Sequence, residues 1–227
     1  MRALRVVIDE EVRERFSPFL AYGVVEGVSV GPADDELRKE AAEAEEEVRR
    51  RFPSPDAIRD DPLVRALRDF LWRTGVDPTK LRPSSEALLR RVVRGGKLPS
   101  INNVVDVGNI VSLRTLVPIG IYDLDRLVGE ELVLRRSREG EEFVPIGGRP
   151  LRLSGELCIA DAQRPIHIYL HRDSEYTKVG EDTRDVLVIA CGVPGLEARL
   201  VKGALDSVVG LLLKHAGGRH VLSRLIE

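Results

Sequence analysis

The sequence predicts an α+β fold, in which helices come first and short strands follow. Apolar residues recur at helical spacing over most of residues 34–113, whereas apolar and polar residues alternate in short segments between 132 and 190. A helical pattern returns at residues 196–214 and ends at a glycine pair. This order favours segregated helices and strands over repeated βαβ units.

The first hundred residues contain two strand patterns and three helix patterns. Residues 4–8 and 21–30 are predicted to be strands, with a charged helical turn between them. A helix is expected over residues 34–52, because acidic residues fill its first turn and arginines its last, as the helix dipole favours. Two more helices are expected, over 63–73 and 84–94.

Residues 101–113 contain all three asparagines of the chain, Asn102, Asn103 and Asn109. The stretch predicts a helix that is apolar on most of its circumference and therefore buried. Asn103 followed by Asp106 is typical of an N-cap arrangement. Two interpretations are open for Asp106 and Asn109: they are structural polar residues of a buried network, or they line a pocket.

Six short segments after residue 130 have strand character. Period-two alternation and the turn residues between the segments place them as follows: 132–135, 143–146, 151–153, 157–160, 166–170 and 186–190. Cys158 and Cys191 lie in apolar strand contexts, without the spacing of a zinc site or the density of a disulfide scaffold, so buried free thiols are expected.

Charge is nearly balanced over the chain but uneven along it. The formal net charge is −2, so the overall charge of the chain does not indicate nucleic-acid binding. Bases nevertheless dominate from Lys80 to Lys97, opposed only by Glu86. Such a run is either a solvated helix face or a phosphate-binding surface. The composition, rich in Arg and Glu and poor in amides, fits a heat-adapted organism.

Several classes of protein are not expected from the sequence. The chain opens without a signal peptide pattern and contains no apolar run close to membrane-span length, which predicts a cytoplasmic protein. It contains no glycine-rich phosphate loop, no Gly-x-Ser-x-Gly elbow and no His-Glu-x-x-His motif. No cofactor and no metal are therefore expected.

The strand predicted at residues 166–170 carries an unusual set of side chains. Alternation places His167, Tyr169 and His171 on one face, and Glu175 follows soon after. A metal site would need a third ligand that the sequence does not supply. The alternatives are a solvated face, or a substrate pocket in which Tyr169 or a histidine contacts the ligand and Glu175 acts as acid, base or amine anchor.

Three sequence runs resemble motifs of the B3/B4 domain of the phenylalanyl-tRNA synthetase β-subunit. They are Val-Val-Asp-Val-Gly-Asn at 104–109, Pro-Ile-Gly-Ile-Tyr-Asp-Leu-Asp-Arg-Leu at 118–127, and Cys-Ile-Ala-Asp at 158–161. The family has Val-Val-Asp-Val-Thr-Asn, Pro-Met-His-Ala-Phe-Asp-Leu-Asp-Arg-Ile and Val-Ile-Ala-Asp, in the same order and spacing. As a whole, the chain looks like the free-standing B3/B4 proteins, which lack every other synthetase domain.

The resemblance implies a fold and a domain division. The B3/B4-like domain, expected over residues 81–227, has a mostly antiparallel β core flanked by helices. Residues 1–80 are expected to form an N-terminal α/β extension packed on that core.

The resemblance also implies an activity, because in the synthetase this domain hydrolyses the ester of tRNA wrongly charged with tyrosine. Glu175 corresponds to the family's catalytic-pocket Glu, and Thr183 to a Thr of a later motif. Tyr169 and Leu170 stand at the family's glycine pair, where two large side chains would shrink or reshape the pocket.

One residue of the family pocket is missing from this sequence. The family's pocket His corresponds to Gly120 here. Either His167 or His171 substitutes for it, or the activity has changed.

The resulting prediction is a free-standing editing-like hydrolase that cleaves mischarged aminoacyl-tRNA and has no synthetase activity. Glu175 and His171 are the predicted catalytic residues. Substrate contacts are assigned to Gly120, Tyr122, His167, Tyr169 and Thr183. Contacts to tRNA are assigned to Arg90, Arg91, Arg94 and Lys97. The resemblance places the pocket elsewhere than Asp106 and Asn109, which are therefore assigned to the structural polar scaffold of the pocket. Two alternatives are a non-catalytic tRNA- or RNA-binding module and a pocket for small amino-acid derivatives.

Overall fold

The structure of the chain is a computed structural model that describes residues 4–227. Its helices are α1 (Glu10–Phe16), α2 (Asp35–Arg51), α3 (Ala57–Asp60), α4 (Pro62–Thr74), α5 (Ser84–Val93), α6 (Asn103–Thr115) and α7 (Ala198–His215). Its strands are β1 (Arg5–Ile8), β2 (Phe19–Glu26), β3 (Ile119–Asp123), β4 (Glu131–Arg136), β5 (Glu142–Phe143), β6 (Leu151–Arg152), β7 (Leu157–Ala160), β8 (Pro165–Ile168), β9 (Arg172–Asp173), β10 (Asp185–Gly192) and β11 (Arg219–Ile226).

The strands form two larger sheets and one small hairpin. One sheet has the order β1-β4-β7-β8-β9, and only its β1–β4 pair is parallel. The other sheet has the order β11-β2-β10-β3 and is antiparallel throughout. Strands β5 and β6 pair only with each other. The predicted α+β fold, with its mostly antiparallel β core, is confirmed.

Helix α6 is the central helix of the fold. It packs against α2, α5, α7 and β3. Val104, Val107, Ile110 and Leu113 are completely buried, as the apolar circumference of the stretch predicts. The helix is positioned by packing on several sides, which fixes any side chain that it presents to a ligand.

The predicted N-cap of α6 is wrong by one residue. Asn102 caps the helix, because its side-chain oxygen accepts a 2.9 Å hydrogen bond from the Val105 amide. Asn103 instead joins three segments: its amide group donates to the carbonyls of Ser29 and His215, and its oxygen accepts from the Gly31 amide, each at 2.9 Å.

Strand β8 is shorter than the alternation predicts. It ends at Ile168, and the chain turns through Leu170, which adopts a left-handed φ of 68°. The His171 amide closes this turn on the Ile168 carbonyl at 2.9 Å. His171 therefore lies beyond the turn, and the predicted grouping of three side chains on one strand face is wrong.

The first eighty residues contribute a strand to each larger sheet. Strand β1 pairs with β4, and β2 lies between β11 and β10. The division at residue 80 stays a prediction. Strands β3 and β11 were not predicted from the sequence. The residues of β3 were identified only as part of a sequence motif, and the charged residues of β11 obscure its alternation of apolar and polar residues.

Two further features concern the class of protein. Cys158 and Cys191 are buried and free, as predicted. None of the helices within residues 4–227 combines the length and the apolar character that a membrane span requires.

We predict that Asn103→Ala lowers the free energy of unfolding by about 2–4 kcal/mol, because it leaves three backbone groups from two other segments without their side-chain partner. Urea denaturation measures the loss. Asn109→Ala is the matched control on the same helix, and its cost should stay within about 0.5 kcal/mol, since the Asn109 side chain has no hydrogen-bond partner within the described chain. Equal losses in the two variants would contradict the linking role of Asn103.

Candidate functional site

A basic groove of about 650 Å³ runs along α5 to the start of β9. We use the name basic groove for the cavity whose cationic lining residues are Lys80, Arg82, Arg90, Arg91, Arg94 and Arg172. Lys80, Arg94 and Arg172 have no ion-pair partner within residues 4–227. The groove therefore holds uncompensated positive charge, which favours phosphate groups over neutral ligands.

A smaller apolar cavity of about 140 Å³ lies between α6 and β3. Its apolar walls come from Ile101, Val105, Ile119, Ile121, Ile146 and Val179. Ile101 and Ile146 are exposed at the surface, although both are large and apolar. Such a cavity suits an uncharged, apolar group of a ligand.

The basic groove and the apolar cavity meet at three residues. Asn109 from α6, Ile119 from β3 and Asp173 from β9 line both. Asn109 is half-buried, and Asp173 keeps 30% of its side chain exposed. The junction therefore offers an amide and a carboxylate between a cationic surface and an apolar one.

The carboxylate of Asp173 is held from behind by two buried side chains. The Tyr122 hydroxyl donates to Oδ1 of Asp173 at 2.7 Å, and Nδ1 of His167 lies 2.8 Å from the same oxygen. Burial raises the pKa of the Tyr122 hydroxyl well above its ordinary value, and the neighbouring Asp173 charge raises it further. Tyr122 is therefore a hydrogen-bond donor at every physiological pH.

Gly120 makes the Tyr122 contact possible. A Cβ atom at position 120 would overlap the Tyr122 hydroxyl and would lie 3.0 Å from Oδ1 of Asp173. Any side chain at this position would displace the hydroxyl from the carboxylate. Gly120 thus leaves the space that the Tyr122 hydroxyl occupies.

His167 does not itself reach the groove or the apolar cavity. Its Nε2 lies 3.9 Å from Sγ of Cys191, so its two ring nitrogens face Asp173 and the thiol. Cys, His and Asp occur together in this order in thiol enzymes. Here, however, Cys191 is 1% exposed, and burial raises the pKa of its thiol, so the group is sealed and protonated. It is not a nucleophile.

Glu175 lies beside the apolar cavity and does not line it. Its carboxylate pairs with Lys178, which does line the cavity, and accepts a long 3.4 Å hydrogen bond from the Gly147 amide. The Lys178 hydrogen bond holds the pKa of Glu175 below its ordinary value. Glu175 is therefore ionised at neutral pH, which suits a positioning or accepting group and does not suit an acid.

His171 lies at the edge of the basic groove. Its Nδ1 is 2.9 Å from the Arg82 carbonyl, which can only accept, so this nitrogen carries the hydrogen. Burial lowers the pKa of the imidazole, and Nε2 has no partner within the described chain. His171 is therefore a neutral ring whose Nε2 lone pair is unpaired but buried. The ring also borders a separate apolar cavity of about 220 Å³ next to α4.

Two other predicted substrate contacts are engaged in the protein interior. The Tyr169 hydroxyl lies 2.8–2.9 Å from the carbonyls of Gly192 and Phe19, and its ring borders the cavity next to α4. The Thr183 hydroxyl donates to Asp123 at 2.6 Å and accepts from the Gly180 amide. Tyr169 and Thr183 are buried. His167 is buried as well, so the alternative of a solvated strand face that presents His167 and Tyr169 is wrong.

The predicted tRNA-binding residues differ in their availability. Arg94 is exposed in the groove, and Arg91 lines it while donating to the Lys97 carbonyl. Arg90 also lines the groove, but it forms a 2.6 Å ion pair with the buried Glu86. Lys97 lies outside the groove, in a neighbouring cavity against α2.

Three further cations line the groove but were not among the predicted tRNA-binding residues. They are Lys80, Arg82 and Arg172. The first two lie within the basic run of the sequence, which was the available signal. Arg172 joins them only because the turn after β8 brings β9 close to α5, where the Ser84 amide donates to the Leu170 carbonyl at 2.7 Å.

Asp106 and Asn109 share a helix but have different surroundings. Asp106 accepts from the Ile101 amide at 2.8 Å and from the Ser100 hydroxyl, and burial raises its pKa. These hydrogen bonds hold residues 100–101, which lead into α6, in place. Asn109 lines the junction instead. Within residues 4–227 no group of three His, Cys, Asp or Glu side chains is arranged to hold a metal ion.

Comparison with known sequences identifies relatives of the chain. The B3/4 domain family matches residues 66–217. The phenylalanine–tRNA ligase beta subunit of Carboxydothermus hydrogenoformans is 36% identical over 112 residues, which are 49% of this chain and 14% of that subunit. The subunit of Anaeromyxobacter dehalogenans is 40% identical over 90 residues, which are 39% of this chain and 11% of that subunit. The chain thus corresponds to a small part of these relatives.

A solved structure shares the fold. The N-terminal fragment of the phenylalanyl-tRNA synthetase beta-subunit from Pyrococcus horikoshii superposes with a TM-score of 0.51 at 15% sequence identity. The match covers 98% of this chain and 50% of that fragment. Since the family match extends over more than half of the chain and the fold agrees, the chain belongs to the B3/4 domain family, the domain of the phenylalanyl-tRNA synthetase β-subunit.

Proposed function

We propose that the chain is a free-standing editing hydrolase, which cleaves the aminoacyl ester of mischarged tRNA. The observation that carries this proposal is the junction of the basic groove and the apolar cavity at Asn109, Ile119 and Asp173. An aminoacyl-tRNA has the same layout around its ester. A polyanionic RNA lies on one side of the bond, and an amino-acid side chain lies on the other.

The groove supplies the contacts to the RNA. Lys80, Arg94 and Arg172 are available to bind phosphates, because none of them forms an ion pair at contact distance within the described chain. Arg90 contributes less, since its charge is already paired with Glu86. The cationic surface is local, which explains how a chain of net charge −2 could still bind tRNA.

The apolar cavity supplies selection of the amino acid. Its aliphatic walls favour an uncharged, apolar side chain. Tyr169 and Leu170 do not narrow this cavity, because Tyr169 points into the protein interior and binds the Gly192 carbonyl. The pocket of this chain is thus shaped by α6 and β3.

Ester hydrolysis needs a water molecule, a base and a donor for the carbonyl oxygen. We assign the base to the neutral His171. Its Nε2 has no partner but is buried in the described chain, so the ring has to turn toward the groove before it takes the proton of the attacking water. The water oxygen bonds to the carbonyl carbon, the ester C–O bond breaks, and the ribose hydroxyl of the tRNA leaves with a proton. We assign the donor for the negative carbonyl oxygen to Lys178, which lines the apolar cavity and pairs with Glu175.

We expect the chain to hydrolyse at least one mischarged tRNA from a panel that carries apolar or aromatic amino acids, and to spare the same tRNAs when correctly charged. Release of the labelled amino acid measures the rate. Absence of turnover over the whole panel, under conditions where the tRNA binds, would contradict the hydrolase and favour the RNA-binding alternative.

Glu175→Ala should slow deacylation about 100-fold at unchanged tRNA affinity, because Lys178 then loses its fixed position. The control is Glu197→Ala, which removes an exposed carboxylate from an ion pair outside the groove and the cavity. Unchanged deacylation in Glu175→Ala would remove Glu175 from the mechanism.

Reversing charge in the groove should weaken tRNA binding. For Arg94→Glu combined with Arg172→Glu, we expect at least a tenfold rise in Kd and a salt dependence reduced by about two phosphate contacts. Filter binding between 50 and 300 mM NaCl, about the range in which such contacts are screened, measures both.

The matched control is Arg199→Glu, because Arg199 is exposed and lies outside the groove. If wild type and the double variant bind tRNA equally weakly at low salt, a pocket for small amino-acid derivatives explains the site better than an RNA enzyme does.

A further inference from the structure

Asp173 is the one carboxylate, among residues 4–227, that lines both the basic groove and the apolar cavity. Within the same residues it has no Lys or Arg partner at ion-pair distance. Its neighbour Glu175 differs in this respect, because Lys178 already neutralises it. The site thus keeps one carboxylate available for an incoming cation.

The two oxygens of Asp173 have different surroundings. Oδ1 faces inward and receives the hydrogen bonds from Tyr122 and His167. Oδ2 has no hydrogen-bond partner within the described chain. The inward contacts fix the orientation of the carboxylate, and the second oxygen remains free for a ligand at the junction.

We propose that Asp173 binds the α-ammonium group of the aminoacyl ligand. This inference rests on the proposed function and specifies how the substrate is recognised. With the RNA in the groove and the side chain in the apolar cavity, the α-carbon lies at the junction, and its ammonium group is the only cation of the aminoacyl moiety when the side chain is uncharged. A carboxylate with a free oxygen is the matching group.

A metal ion fits the same carboxylate less well. Divalent cations in proteins take several oxygen, nitrogen or sulfur ligands, and Asp173 belongs to no group of three candidate ligands within the described residues. A primary ammonium group needs fewer partners. Asn109 also lines both cavities, and its amide oxygen is available as a second acceptor.

Tyr122 and Gly120 act on the ligand through Asp173. The Tyr122 hydroxyl reaches Oδ1 only because position 120 has no side chain. Tyr122 is therefore a positioning residue, and the loss of the family's histidine at 120 is part of the same arrangement. His167, the sequence-based candidate to replace that histidine, contributes by holding the carboxylate.

The test compares two probes that differ only at the amine. They are acceptor-stem minihelices whose 3′ end carries leucine, phenylalanine or tyrosine through a non-hydrolysable amide, with the α-amine either free or N-acetylated. We expect wild-type protein to bind at least one free-amine probe about tenfold or more tightly than its acetylated counterpart, as loss of a charge-assisted contact predicts. Fluorescence anisotropy measures both Kd values.

Asp173→Asn should abolish this discrimination and leave the affinity for the acetylated probe unchanged. The variant keeps an oxygen that accepts from Tyr122 and His167, so the fold is preserved while the charge is lost. Tyr122→Phe should reduce the discrimination partly, because the carboxylate stays but loses one of its two fixed contacts. Asp206→Asn, an exposed carboxylate on α7, should behave as wild type.

Discrimination that persists in Asp173→Asn, or a wild type that does not distinguish the two probes, would overturn the inference. Failure of the proposed function is recognised separately. If Asp173 discriminates between the probes but no ester is hydrolysed, the ammonium site stands and the hydrolase does not. If esters are hydrolysed equally well by Asp173→Asn, the hydrolase stands and the ammonium site does not.

Discussion

The hydrogen bond between Tyr122 and Asp173 is the interaction on which the site depends, because it joins the edges of the two sheets. Strand β3 is the last strand of one sheet, and β9 is the last strand of the other. The bridge between Tyr122 and Lys178 runs alongside it. With the edges joined, α6 and α5 can each present one side to the same point. The apolar cavity and the basic groove both border this contact between β3 and β9.

Around this contact between the two sheets, some charged side chains form ion pairs and others do not. The fold pairs Arg90 with the buried Glu86, and Glu175 with Lys178, so the charges within each pair largely cancel. It leaves Arg94, Arg172 and Asp173 without such partners. A cationic surface and a single anion therefore face a ligand at adjacent points, although the chain as a whole is close to neutral.

The parts of the fold that the sequence predicts are those set by local periodicity, such as α2, α6 and α7. The short strand β9 escapes prediction because the left-handed turn at Leu170 creates it, and leucine is not a residue that signals such a conformation. The same turn explains the site. Asp173 belongs to no recognisable sequence motif. What distinguishes it from nearby polar residues is its contact with Tyr122 and His167, which lie on other strands. The charges of Glu175 and of the basic run could be read from the sequence, but their ion-pair partners could not be predicted from it.

Gly120 also constrains how this site can change. A histidine at position 120 and a tyrosine hydroxyl at position 122 claim the same volume, so they are mutually exclusive. A chain that moved between the two arrangements by single substitutions would have to lose the hydroxyl before gaining the histidine, or lose the histidine before gaining the hydroxyl. Both orders pass through a sequence with neither group. In this fold, a side chain at position 120 and the present placement of the Tyr122 hydroxyl therefore exclude each other.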